Sequence, residues 1–246
     1  LRLFVSRDRI KTKTGWRFAM LEREKIMGVL ARARQMDPEC QMFGASKHQY
    51  RLNLPVEASF VRSVEAEYGF SLPEDYFRFI TEIGDGGAGP DYGIGSFTDF
   101  LESARSPGAE RFREAYRRSL ARPFAPWPMK PEDVGEYAVA TKEAYAQNPG
   151  KYFIFYKEDD QLCDTDGFYT LGTHGCQWDF GLITAGPRRG QVFDTDNEGA
   201  YAFLAESFDE FYQNWLESLA DEEAFLRRLE PWRKRAEKRK TSSFER

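Results

Sequence analysis

Cysteine and histidine are scarce in this chain, which holds three of the first (Cys40, Cys163, Cys176) and two of the second (His48, His174) among 246 residues. That supply is too small for a disulfide framework, and a four-ligand zinc site would need an improbable mixture of both types. A reducing cytoplasm is therefore the expected setting, with no cofactor and no metal. Long apolar runs are also missing: no stretch approaches the roughly 20 residues that a bilayer span needs. The first 30 residues carry charges throughout, where a secretion signal would be apolar, so no membrane partner is expected. Internal repeats are absent, since the two Asp-Thr-Asp triplets at 164 and 194 sit among unrelated neighbours. Disorder is excluded by what is abundant: 21 Phe, 12 Tyr and 5 Trp within a 41% hydrophobic composition describe a globular protein.

Charge is distributed in blocks. Counting Lys and Arg against Asp and Glu, residues 1–34 hold 10 and 3, residues 35–225 hold 16 and 34, and residues 226–246 hold 9 and 3. The net −5 thus conceals an acidic body of −18 between basic ends of +7 and +6. Such a body repels nucleic acid and attracts basic proteins, because the summed field concentrates oppositely charged partners at the surface. The basic run PWRKRAEKRK is short and interrupted by Glu237, so it does not read as a nucleic-acid tail.

Periodicity divides the chain into helices, then strands, then helix. Phe18, Leu21, Ile26, Val29 and Leu30 form an amphipathic helix over 17–36 that ends before Asp37-Pro38. Pro55 opens a second helix closed at Gly69, and Ser71 with Glu74 has capping-box spacing for a third that runs to Gly84. A further helix is expected near 109–120, followed by a proline-rich crossing at 123–131. Segments 151–158, 167–173, 178–186 and 190–196 are short, aromatic or β-branched, and bounded by turn residues, with Gly-Pro-Arg-Arg-Gly at 186–190 as a hairpin connection. From Ala200 to Leu219 the apolar residues return at helical spacing. The order predicts an α+β fold with one core.

Several motifs resemble chemical sites and fail on context. Gly84, Gly86 and Gly89 spell a GxGxxG string, but it terminates a helix where a dinucleotide fingerprint would open one. Asp194, Asp196, Glu198 and Gly199 imitate a calcium loop, yet its twelfth position is Ala205 and Glu206 comes one residue late; a turn with Asx-type hydrogen bonds is the preferred reading. His174 and Cys176 show neither a third catalytic partner nor a ligand spacing, and are read as lying in a turn and at a buried strand start. No carboxylate pair is singled out for hydrolysis, so a carboxylate- or metal-dependent hydrolase is the weakest of the functional classes.

The segment SLPEDYFRFITEIGDGGAGPDYGIGSF at 71–97 resembles the signature of the SUKH superfamily, which runs from bacterial toxin-immunity proteins to fungal regulators of the SMI/KNR type. LGTHGCQWDFGLITAGPRRGQVF at 171–193 is similar to the family's later strand block. The resemblance covers roughly 50–219 and implies a SUKH-like single domain, a mixed and mostly antiparallel sheet with helices packed on it. It divides the chain into an N-terminal helical extension (1–45), the domain (46–219) and a basic C-terminal helical tail (220–246). It also implies a non-enzymatic protein-binding module, with a basic cognate toxin, a nuclease for example, as the partner whose sign the acidic body fits. A regulatory scaffold of the SMI/KNR type is the alternative. Within the signature, Gly84, Gly86, Gly87, Gly89, Pro90 and Gly93 are assigned to shaping the loop, and Asp85, Asp91 and Tyr92 to facing a partner. Trp178 and Asp179 at a strand start, and Asp164 and Asp166 in the acidic turn after Asp159 and Asp160, complete the candidate contact set.

Overall fold

The computed structural model describes residues 21–97, 109–136, 139–155, 166–196 and 198–244. Helix α1 (Arg23–Met36) buries Ile26, Leu30 and Ala33 and stops at Asp37, the residue before Pro38. Asp37 is itself buried. Its carboxylate accepts the backbone N–H groups of Gln41 and Met42 at 2.8 and 3.0 Å and the Tyr50 hydroxyl at 2.9 Å, folding the chain into the short α2 (Ala45–His48). Helix α3 (Ala58–Tyr68) ends on Gly69 in the left-handed region (φ 75°), where glycine avoids the Cβ clash. Its buried Glu65 reaches across to accept the Leu72 N–H at 2.6 Å and thereby sets the entry to the next helix.

That helix, α4 (Glu74–Arg78), widens into one π turn over Phe79–Ile83 before Gly84. The expected capping box does not form. Pro73 occupies the cap position, while the Ser71 hydroxyl and the Ser71 and Leu72 carbonyls all accept from the Arg189 guanidinium at 2.8–3.2 Å. A charged donor from the 186–190 hairpin wins over a local cap because it satisfies three acceptors at once. Helix α5 (Ala109–Ser119) and α6 (Lys142–Gln147, capped by Thr141) complete the helices before and between the strands.

Six strands form one sheet: β1 (Trp127–Pro128), β2 (Tyr152–Ile154), β3 (Phe168–Gly175), β4 (Trp178–Ile183), β5 (Val192–Thr195) and β6 (Ala200–Ala205), in the order β1-β2-β6-β5-β4-β3. Every described pairing is antiparallel. Two assignments differ from the sequence reading. Ala200–Ala205 is a strand rather than the start of the last helix, which begins only at Phe208 (α7, Phe208–Ala220) behind a Ser207 cap whose hydroxyl accepts the Glu210 N–H. The strand lies between β2 and β5, covered on both faces, so it lacks the alternation that marks a half-exposed strand. Cys176 is exposed at the tip of the β3–β4 hairpin rather than buried at a strand start; it and Gln177 adopt φ of 52° and 71°, as a two-residue turn with the right twist requires.

Alternation along β4 sends Phe180 and Leu182 towards the helices and Asp179, Gly181 and Ile183 to the other face. The helix side holds the main core, where Tyr76, Phe79, Phe208 and Tyr212 meet ring to ring at 4.8–5.7 Å. An aromatic layer of Phe124, Phe153, Phe155, Phe168, Phe193 and Tyr201 fills the opposite face. Helix α8 (Glu222–Phe244) carries the basic end of the chain, and its Phe225 and Leu229 are buried in the main core together with α1.

Candidate functional site

The glycine-rich loop after the π turn is welded in place by its backbone. Gly87 pairs with Leu52 on one side and Ile94 on the other, exchanging hydrogen bonds with Ile94 at 2.8 and 2.9 Å. Ala88 N–H donates to the Arg51 carbonyl at 2.7 Å, and Gly95 N–H donates to the Leu171 carbonyl of β3 at 2.7 Å. The loop therefore continues the sheet beyond β3 and covers its edge. Close approach explains glycine at the centre of this arrangement: a Cβ on Gly93 (φ 94°) would lie 2.3 Å from the Gly87 carbonyl oxygen.

Asp91, at the turn of the loop, is held by both histidines of the chain. His174 places Nδ1 against the Asp91 carboxylate and Nε2 at 3.2 Å from Asp194 Oδ1, the second contact being an ion pair too far off line for an aligned hydrogen bond. Burial alone would deprotonate this imidazole, but Asp194 and Asp91 together outweigh it and raise its pKa to about 10, so the ring is cationic. His48 meets the same residue through the Asp91 backbone. Its Nδ1 accepts the Tyr50 N–H at 3.0 Å, which puts its proton on Nε2, and burial lowers its pKa to about 4 despite the Asp91 contacts. One histidine is charged and the other neutral, and between them they fix a non-glycine residue at φ 48°. Tyr92 follows, half-buried, its ring edge-on to Phe43 at 5.1 Å; Phe43 in turn lies 5.2 Å from Trp232 of α8.

Beside Tyr92 the loop, the segment after α2 and the β3 edge enclose an open groove of about 490 Å³. Lys47, Gln49, Arg51, Tyr92, Gly95 and Thr173 are among the residues that line it. Much of the wall is glycine backbone, and the two cations on it are exposed. Sequence reasoning missed Lys47, His48 and Arg51 altogether. Nothing in their local spacing marks them, because α2 is brought to the loop by the Asp37 turn and by the Leu52–Gly87 bridge.

The structure sorts the predicted contact residues into distinct places. Asp85 is buried; its carboxylate accepts the Phe97 N–H at 2.7 Å and its carbonyl accepts from Asn53, so it braces the loop from inside and presents no surface. Asp166 is likewise buried and pairs with Arg122 at 3.3 Å. Asp164, with Asp159 and Asp160, lies outside the described residues. Trp178 and Asp179 are successive strand residues and point to opposite faces: Trp178 packs against the apolar cluster that includes Val134, Val139 and Ala200, and Asp179 leaves on the other side. Tyr92 lines the groove, and Asp91, its chain neighbour, turns its carboxylate to His174. Gly84, Gly86, Gly87, Gly89, Pro90 and Gly93 all lie within the welded loop.

The two look-alike motifs resolve into local structure. Gly84 ends the π turn. Asp196 Oδ1 accepts the N–H groups of Glu198 and Ala200 at 2.9 and 3.2 Å, an Asx turn leading into β6. Among the described residues, no three His, Cys, Asp or Glu side chains gather in a way that would hold a metal ion, and no helix is long and apolar enough to cross a membrane.

A comparison with curated proteins finds no match. A comparison with protein families does: the profile of the SMI1/KNR4 family (SUKH-1) matches residues 55–214, from the approach to α3 through the glycine-rich loop and the whole sheet into α7. Spanning well over half of the 246 residues, and including the glycine-rich loop and β3 edge of the groove but not α2 or the segment after it, the match shows that the chain belongs to the SMI1/KNR4 family (SUKH-1).

Proposed function

We propose that this chain is a non-enzymatic binding module of the immunity type, which neutralises a cognate bacterial toxin by direct contact. Membership of the SUKH-1 family carries the reading, and the charge distribution supports it: an acidic body of −18 over residues 35–225 steers a basic toxin domain onto the surface and repels the nucleic acid that such a toxin holds. Contact centres on Asp91 and Tyr92, which the loop presents on a pre-formed backbone, so little ordering entropy is lost on docking. Asp179 extends the contact on the far side of the β3–β4 hairpin.

Co-expression with the C-terminal domain of the protein encoded next to this one tests the reading. Rescue of growth, with one partner bound at a nanomolar Kd or tighter (about −12 kcal/mol), is the expected result. A toxic neighbour that is neither bound nor neutralised overturns the pairing, and recovery of several weak partners favours a regulatory scaffold.

A further inference from the structure

The geometry points to the groove beside Tyr92 as the receptor for an acidic, extended peptide segment of the partner, a sign opposite to that of the body around it. Three observations converge. Lys47 and Arg51 both line the groove and are exposed, and neither has a carboxylate within ion-pair distance among the described residues, although the body has twice as many acidic as basic residues. The two acidic side chains of the loop are engaged elsewhere, Asp91 by His174 and Asp85 by the Phe97 N–H. The groove therefore keeps two cations free where the composition would ordinarily quench them, and a carboxylate from outside is the complement they lack.

Gly95 supplies the third observation. Its neighbours in the wall, Gly87, Gly93 and Gly172, are glycine because a Cβ would collide with backbone at 2.3–2.5 Å. Gly95 has no such reason: its φ lies outside the left-handed region, it is exposed, and a Cβ there would meet only the Leu171 carbonyl oxygen at an ordinary 3.6 Å. What a side chain at 95 would occupy is the groove itself. Neither the backbone nor the core requires glycine there; close approach of a second chain does. A main chain lying along Gly95, with carboxylates reaching Lys47 and Arg51 and an apolar side chain against the half-buried ring of Tyr92, fits both the volume of about 490 Å³ and the charge. A peptide is preferred to a nucleic acid because single-stranded nucleic acid needs a basic track along several phosphates, and the two cations here stand within a body of −18.

This inference rests on the reading of the chain as a protein-binding module, and its test is separable from the toxin experiment. A random 12-residue peptide library displayed on phage is panned against the full chain, and the winning peptides are synthesised and titrated by fluorescence polarisation. Enrichment in Asp and Glu is expected, with binding weakened tenfold or more by Arg51→Glu, by Lys47→Glu and by Gly95→Phe. The exposed Arg51→Gln variant, which leaves the fold undisturbed, weakens it about threefold and guards against loss through misfolding. A winning pool no richer in acidic residues than the input, or winners indifferent to all four substitutions, overturns the inference. So does a labelled single-stranded oligonucleotide that binds with the same variant sensitivity while no peptide is enriched. Rescue from the toxin that survives Arg51→Glu removes the groove from the immunity contact and leaves the immunity reading standing; acidic winners with no rescue do the reverse.

Discussion

At the scale of single residues, Asp91 shows how a loop residue at positive φ is held in place by side chains from elsewhere in the fold. His174 and His48 grip it at the carboxylate and the backbone, in opposite protonation states. The two contributions have opposite pH dependence. The His174 pKa is raised from 6.5 to about 10, so its stabilisation is complete below about pH 6.5 and is lost as pH rises through about 10. The His48 pKa is lowered to about 4, so its contribution is complete above about 6.5 and is lost as pH falls through about 4. His174→Gln removes the cation between two carboxylates that are only partly screened, at an expected cost of about 2 kcal/mol near pH 6. Urea unfolding of wild type and variant at pH 6, 8 and 10 checks this: the gap between them narrows steadily with pH, and a gap independent of pH would mean that the ring is neutral. None of this was legible in the sequence. A lone histidine has no pattern, and whether a carboxylate such as Asp85 or Asp91 turns inward depends on which N–H or imidazole the fold brings to it.

Elements were more legible, because their ends are marked by chemistry that acts locally. The stop of α1 before Pro38, the Gly69 cap of α3 and the 186–190 hairpin lie where proline, glycine and turn residues put them. Legibility failed where the neighbours decide: β6 is apolar on both faces and imitates a helix, and β1 is two residues at the sheet edge. Beyond α7, the basic helical end contributes to the main core, where α8 places Phe225 and Leu229 at 0% exposure. Truncation after Asp221 uncovers both side chains' sites, and at about 1.5–3 kcal/mol for each buried side chain a loss of about 4 kcal/mol is expected, read as a lowered urea midpoint. In the loop, Gly93→Ala places a Cβ 2.3 Å from a carbonyl oxygen at φ 94° and is expected to cost about 3 kcal/mol, whereas Gly95→Ala stays within about 0.5 kcal/mol. Equal melting temperatures for the two variants would show that the loop is softer than its ladder of backbone bonds implies.

At the scale of the whole molecule, two electrostatic effects of different range are superposed. The body of −18 acts over distances comparable to the Debye length, about 10 Å at 0.1 M salt, and so is suited to steering the encounter with the basic partner proposed above. Lys47 and Arg51 act only at contact, on a surface whose backbone is already fixed by the bridges to Leu52 and Ile94. Long-range attraction speeds association and is screened by salt, whereas a charge pair enclosed on docking governs dissociation and is screened much less. With a cognate toxin in hand, the association rate is expected to fall about tenfold between 0.02 and 0.5 M salt while the dissociation rate changes little. Arg51→Glu is expected to do the reverse, raising the dissociation rate by tenfold or more with less than a threefold effect on association. Stopped-flow measurement of both rates across the salt series separates them. If salt acted mainly on dissociation, the acidic body would be part of the contact itself, and the division of labour between field and groove would fall.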